Sequence, residues 1–142
     1  LLFTPDASTI YPENFQTTVT VTNLSRHLCG KSRPTFFSGV CTIVLKLLNI
    51  LMPDVAVFGE KDYQQLRIIQ RLVKDLHHPT RIVPSPIVRA PDGLALSSRN
   101  TYLTPNQRAS ATHLSASLKQ IKRKVQQGHT NLPQILSQAS QT

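Results

Sequence analysis

The apolar positions of this chain change period along its length, and those changes mark its elements. Val40, Val44, Leu47, Leu48 and Leu51 fall at the spacing of one helix face, and Pro53 stops the pattern, which predicts a helix over Val40 to Leu51. Val55-Ala56-Val57-Phe58 is a short continuous apolar run, expected of a buried parallel strand over Asp54 to Phe58. Gly59-Glu60-Lys61 turns the chain. A helix then opens at Asp62, where Gln65 three residues on completes a capping-box pattern, and it carries Leu66, Ile69, Leu72, Val73 and Leu76 inward. A second strand is expected at Arg81 to Val83. Ahead of these, Leu1 to Glu13 reads as an extended loop with Pro5 and Pro12. Gln16 to Val21 reads as a short Thr/Val strand, Asn23 as the cap of a brief helix to Leu28, and Gly30 to Gly39 as a loop.

The pattern shifts after Val83. Pro84, Pro86 and Pro91 crowd together, so a boundary is expected here, with one domain over 1–84 and a second over 85–142. Asp92-Gly93 is a turn. Thr104-Pro105-Asn106-Gln107 is a strong helix start, with a cap, a proline at the first helical position and a glutamine at the third. That helix places Leu114, Leu118, Ile121 and Val125 on one face and ends at Gly128, and a further helix is expected over Asn131 to Ser140. Helix, strand, turn, helix, strand is half of an open α/β sheet, in which ligands lie beyond the carboxyl ends of the strands. Gly59 to Asp62 occupies such an end.

The composition narrows the class. Of 142 residues, 39% are apolar, enough for a core. The longest apolar stretch, Val40 to Met52, is interrupted by Thr42, Lys46 and Asn49 and is too short to span a bilayer, so a soluble protein without a membrane partner is expected. Cys29 and Cys41 make no disulfide framework or zinc knuckle; they are expected as free thiols in the cytoplasm. The formal net charge of +9 attracts polyanions of many kinds, but the aromatic residues are too scattered to form a stacking platform for nucleic acid.

Two loops carry the candidate chemistry. In Gly59-Glu60-Lys61-Asp62 a strand passes through a tight turn into a helix, an arrangement whose backbone N–H groups suit phosphate. Lys61 adds a mobile charge, and Asp62 is a candidate ligand for magnesium. On spacing alone, a helix cap and a solvated lysine account for the same residues. Ser97-Ser98-Arg99-Asn100 offers two hydroxyls and a guanidinium, a phosphate clamp or an ordinary polar turn. Gly30-Lys31-Ser32 is not a P-loop, because Ser25 stands where that motif needs glycine. The histidines form no metal-binding pair with a glutamate, and Lys119, Lys122, Arg123 and Lys124 read as the solvated side of a helix.

Three phrases in order break the tie. Arg33-Pro34 through Phe37 with Gly39-Val40, then Phe58-Gly59-Glu60-Lys61-Asp62-Tyr63-Gln64-Gln65-Leu66, then Asp92-Gly93-Leu94-Ala95-Leu96-Ser97-Ser98-Arg99-Asn100 resemble the pantothenate synthetase family, as does Thr9-Ile10-Tyr11-Pro12. The likeness runs to about Leu103. It implies a Rossmann-like nucleotidyltransferase fold with a partial parallel sheet, followed by the start of a smaller α+β lid domain. It implies an ATP-dependent, AMP-forming ligase that condenses pantoate with β-alanine through a pantoyl adenylate, with magnesium, as a homodimer. ATP would be bound by Gly59, Glu60, Lys61, Asp62, Val88 (through its backbone), Leu96, Ser97, Ser98 and Arg99. Lys61, Ser97, Ser98 and Arg99 would act on the phosphates, Lys61 and Arg99 from opposite domains, and Gln65 would contact pantoate. Phe36 stands where the family has a histidine, with Phe37 and Ser38 after it. The family's His-x-Gly-His signature would lie upstream of Leu1, so the chain reads as an internal fragment, inactive alone. The alternatives are another adenylate- or cytidylate-transferring enzyme of similar fold and a basic nucleic-acid-binding module.

Overall fold

The computed structural model describes residues 1–140. The chain falls into two compact units that part between Pro86 and Ile87.

The first unit opens with a single helical turn, α1 (Ala7–Ile10), where an extended loop was expected; it buries Ile10. A 3-10 turn at Leu24–Arg26 and a one-turn helix, α2 (Cys29–Ser32), follow. Asn23 makes no side-chain cap on the 3-10 turn. Residues 16–21, expected as a strand, form none. They run beside α3 (Phe36–Leu51), where the backbone N–H of Val19 donates to Thr42 Oγ1 at 3.0 Å. The β-favouring side chains still serve, since Val19 and Val21 pack on the core, but no neighbouring strand takes up their backbone.

Helix α3 begins four residues before the predicted Val40. Phe37, Cys41 and Leu48 are buried on one face with Val44 and Leu45 packed beside them, so the inward stripe starts at Phe37. Gly39, expected at the end of a loop, lies inside the helix with open space around it. A mid-helix glycine costs about 1 kcal/mol, and burying a phenylalanine returns about 1.5–3 kcal/mol, so the helix runs through. It stops at Met52, whose left-handed backbone sends its N–H to the Leu48 carbonyl, with Pro53 behind it.

Strand β1 (Val55–Gly59), helix α4 (Tyr63–Asp75) and strand β2 (Arg81–Ser85) form the expected strand–helix–strand unit. The two strands pair in parallel, from Val55 opposite Arg81 to Gly59 opposite Ser85. Thr80 sets that register. Its buried hydroxyl donates to the Pro53 carbonyl at 2.7 Å, and the next N–H, of Arg81, reaches Asp54 O at 2.9 Å. The core of Phe37, Cys41, Ile68, Ile69 and Leu72 lies between α3 and α4, with Phe58 and Ile82 against it. Leu76, expected inward, is exposed, because the helix has already ended: His77 adopts a left-handed φ of 51° and His78 N–H closes back on Val73 O. One face of β1 is also open, with Val55 and Val57 exposed, so the strand is only half buried.

In the second unit, Arg89 and Ala95 form an antiparallel bridge around the Asp92-Gly93 turn, where Gly93 takes φ 88°. A 3-10 helix spans Ser98–Tyr102. Helix α5 (Pro105–Gln126) begins with the full capping box: Thr104 accepts from Gln107 N–H, and the Gln107 side chain accepts from Thr104 N–H. It closes at Gly128 with paired bonds to the Val125 and Lys124 carbonyls. Helix α6 (Leu132–Ala139) follows and buries Ile135 and Ala139. The predicted apolar face of α5 is not its buried face. Leu114, Leu118 and Val125 are exposed and Ser115 is buried, because among the described residues of this unit nothing covers the leucine stripe, while the Gly93 turn sits over Ser115. No helix of the described residues is long and apolar enough to cross a membrane.

Candidate functional site

Gly59 ends β1 in extended conformation, at the carboxyl edge of the parallel pair. One 3-10 turn, Glu60–Asp62, then carries the chain into α4 at Tyr63. The turn raises Lys61 and Asp62 into solvent at the amino end of a 13-residue helix, whose dipole favours negative charge there. The capping box expected between Asp62 and Gln65 does not form. The extra 3-10 turn sets Asp62 at φ −94°, ψ 58°, and its carboxylate makes no cap bond. Among the described residues, the side chains of Glu60, Lys61, Asp62 and Gln65 enter no hydrogen bond or ion pair. They are charged or amide groups with their polar ends uncommitted, whereas a capping box would have engaged Asp62 and Gln65.

The neighbouring glutamine is committed. Gln64 Oε1 accepts from Cys29 N–H at 3.1 Å, and its Nε2 donates to Leu24 O at 3.0 Å and His27 O at 2.6 Å. It ties the 24–29 loop to the start of α4, while Gln65 lies on a different side of the helix because successive side chains step about 100° around its axis. Nothing in Gln64-Gln65 as a dipeptide separates the two roles; only the partners do.

In the second unit, Leu96 N–H donates to Val88 O at 2.9 Å, so these two predicted residues lie side by side across the bridge. The N–H of Val88 has no partner among the described residues. Ser97 Oγ accepts from Arg99 N–H at 3.2 Å and caps the 3-10 turn, which leaves the hydroxyl hydrogen free to donate. Ser98 and Arg99 are exposed, and the Arg99 guanidinium meets no acceptor among the described residues. Asn100, quoted in the motif but given no role, fixes the loop by donating to Ala95 O at 2.9 Å. Asp92 and Arg108, also unassigned, form an ion pair at 2.8 Å. The Leu94 N–H bond, with Arg108 behind it, holds the Asp92 carboxyl below its ordinary value.

Hollows elsewhere do not coincide with these groups. A cavity of about 480 Å³ lined by Lys74, His77, His78 and Arg81 lies at the amino end of β2, away from Gly59. Gly30-Lys31-Ser32 forms α2, and Gly30 is pressed against the Ser25 carbonyl, with no space there for a phosphate. Cys29 is exposed and Cys41 buried, both as free thiols.

The pantoate-beta-alanine ligase family model matches residues 1–142. Pantothenate synthetase of Desulforapulum autotrophicum is 53% identical over 137 residues, 96% of this chain and 48% of that protein. A crystal structure of pantothenate synthetase from Thermus thermophilus superposes with a TM-score of 0.91 at 41% identity, covering 96% of this chain and 50% of that one. The Francisella tularensis pantoate-beta-alanine ligase, solved complexed with beta-gamma ATP and beta-alanine, superposes at 0.74 with 36% identity over 94% of this chain and 49% of that one. The chain thus spans about half the length of the curated relatives it matches. The parallel strand–helix–strand unit with its uncommitted Lys61 loop, the Ser97-Ser98-Arg99 turn and a match along the whole chain make this protein a member of the pantoate-beta-alanine ligase family.

Proposed function

We propose that this chain supplies part of the active site of an ATP-dependent ligase that joins pantoate to β-alanine. The observation that carries the reading is the loop after β1. Lys61, Asp62 and Gln65 stand at a strand carboxyl end with their side chains uncommitted, in a chain matched along its length by ligases of this kind.

The chemistry follows from those groups. A pantoate carboxylate oxygen attacks the α-phosphorus of ATP; the new O–P bond forms as the bond to pyrophosphate breaks. Charge grows on the phosphate oxygens, and fixed cations lower that barrier because they need no rearrangement as it develops. Lys61 and Arg99 supply such cations, with Ser97 and Ser98 donating hydrogen bonds. Gln65 offers its amide to pantoate, and the free Val88 N–H is available to an acceptor on the adenine ring. The amine of β-alanine then attacks the acyl carbon, its proton leaves to solvent or phosphate, and AMP departs. Orientation alone supplies much of this second step, since the adenylate is already a good leaving group.

Asp62 fits a magnesium ion that arrives with ATP. It is exposed, its carboxylate is free of a cap, and among the described residues no cage of three or more ligating side chains exists. One or two carboxylates beside phosphate oxygens are what magnesium uses. Bound there, the ion would offset phosphate charge. A cytoplasmic location and a homodimer belong to the same proposal.

In the protein that carries this chain, Lys61→Ala is expected to slow single-turnover adenylate formation by about 10²–10³-fold, the scale of one lost transition-state contact, with pantoate affinity little changed. Unchanged adenylate formation would refute the role of Lys61. Pantoate-dependent exchange of pyrophosphate into ATP separates this ligase from a cytidylate-transferring enzyme of the same fold.

A further inference from the structure

We infer that Asp92, paired with Arg108, is the positioning residue of the Ser97-Ser98-Arg99 loop; the inference rests on the ligase reading for the loop's purpose.

The loop from Leu94 to Asn100 is pinned through its backbone while its phosphate-type donors stay free. Ala90 N–H reaches Leu94 O at 2.8 Å, Leu96 N–H reaches Val88 O, and Asn100 Nδ2 reaches Ala95 O. Arg89 Nη1 holds Gly93 O at 3.0 Å. These bonds join the loop to itself and to residues 88–93 just before it. Asp92 does something different, because its two oxygens face different elements. Oδ1 accepts from Leu94 N–H at 3.0 Å, and Oδ2 meets Arg108 Nη2 at 2.8 Å, on the first turns of α5. One carboxylate thus fastens the loop's entry to the longest helix of the unit.

The turn also sits hard on that helix. A Cβ added to Gly93 would come within 2.9 Å of Ser115 Oγ, itself buried. Asp92 and Gly93 therefore anchor the turn against α5 and fix where the chain sets out toward Arg99. An exposed ion pair contributes little to global stability, so its visible consequence is local: where the loop sits. A guanidinium that must meet a phosphate gains most from a backbone already in place.

The test uses the protein that carries this chain, with amide hydrogen exchange and ATP·Mg titration measured on wild type, Asp92→Ala, Asp92→Asn and Arg108→Gln. Asp92→Ala is expected to speed exchange at Leu94 and through Arg99 and to weaken ATP binding about tenfold, the ratio one charge-assisted hydrogen bond represents. Exchange at Leu118 and Ile121 within α5 stays unchanged and reports that the second unit remains folded. Asp92→Asn keeps an acceptor for Leu94 N–H and restores part of both effects, while Arg108→Gln loses the tie to α5 and keeps the turn. Unaltered exchange between Leu94 and Arg99 in Asp92→Ala overturns the inference, as does faster exchange with undiminished ATP affinity. If wild type itself binds no ATP, the ligase reading of this loop fails, and the exchange data still decide whether Asp92 orders it.

Discussion

Gln64→Ala is expected to loosen the first unit by about 1–2 kcal/mol, whereas Gln65→Ala leaves its stability nearly unchanged. The Gln64 amide uses both donor hydrogens and one acceptor position, to Leu24 O, His27 O and Cys29 N–H. Each such bond contributes about 0.5–1.5 kcal/mol net, toward the lower end here because water can take over exposed partners. Two of the three bonds flank Leu28, which is held at φ 48°, ψ −121°, a conformation an L residue seldom adopts. Removing the amide lets Leu28 relax and returns part of a strain of about 1–3 kcal/mol, so the net loss is less than the sum of the bonds. With a urea slope of about 1 kcal/mol/M, the midpoint falls by roughly 1–2 M. Gln64→Glu sharpens the test: it keeps the shape and the acceptor but turns a carboxylate toward two carbonyl oxygens, and it should be no better than alanine. Urea unfolding of the three variants, with hydrogen exchange at the Cys29 amide as the local reporter, checks the argument. A Gln64→Ala midpoint within 0.3 M of wild type (about 0.3 kcal/mol at that slope), or a Gln64→Glu protein as stable as wild type, would refute it.

Gly30→Ala should destabilise the first unit by more than about 2 kcal/mol or prevent its folding, since a Cβ would meet Ser25 O at 1.7 Å; circular dichroism melts decide. A thiol reagent should modify Cys29 quickly and Cys41 only on unfolding, because Cys41 is buried and burial pushes its thiol above the ordinary value; equal rates would contradict this. As that thiol's pKa is raised on folding, its contribution to stability is present below the unfolded value and is lost as pH rises through the folded one. Asp92 titrates in the opposite sense. Its pKa is lowered on folding, chiefly by the Leu94 N–H and then by Arg108, so its contribution is present above the unfolded value and is lost as pH falls through the lowered one. The Leu94 amide resonance should therefore stay native below pH ~3.9, the ordinary aspartate value, and shift only in stronger acid.

Periodicity made the central strand–helix–strand unit and the capped start of α5 legible, because those elements depend on contacts a few residues apart. Thr104 and Gln107 satisfy one another's backbone whatever else the chain does, and Val55 to Phe58 is a β-favouring run closed off by Pro53 before it and Gly59 after it. The candidate loops were legible for a different reason: the Gly59-Glu60-Lys61-Asp62 and Ser97-Ser98-Arg99 phrases resemble a family, while spacing alone left each open between a clamp and a cap.

What depended on distant partners was decided only by tertiary structure. Residues 16–21 have the composition of a strand, but a strand needs a neighbour, and their backbone turns to Thr42 instead. Gly39 breaks helices in isolation, but the burial of Phe37 outweighs that cost. Gln64 and Gln65 are one letter repeated, and only the loop delivered from residues 24–29 makes the first a clasp and leaves the second free. Asp92 needs Arg108 sixteen residues away to become more than a turn residue. By itself the sequence determined the β1–α4–β2 unit, the two long helices α3 and α5 and the family they serve, because local spacing and local phrases carry that information. Tertiary structure decided which polar groups are already satisfied and which remain for a ligand, because a hydrogen-bond partner is a matter of space and not of order along the chain.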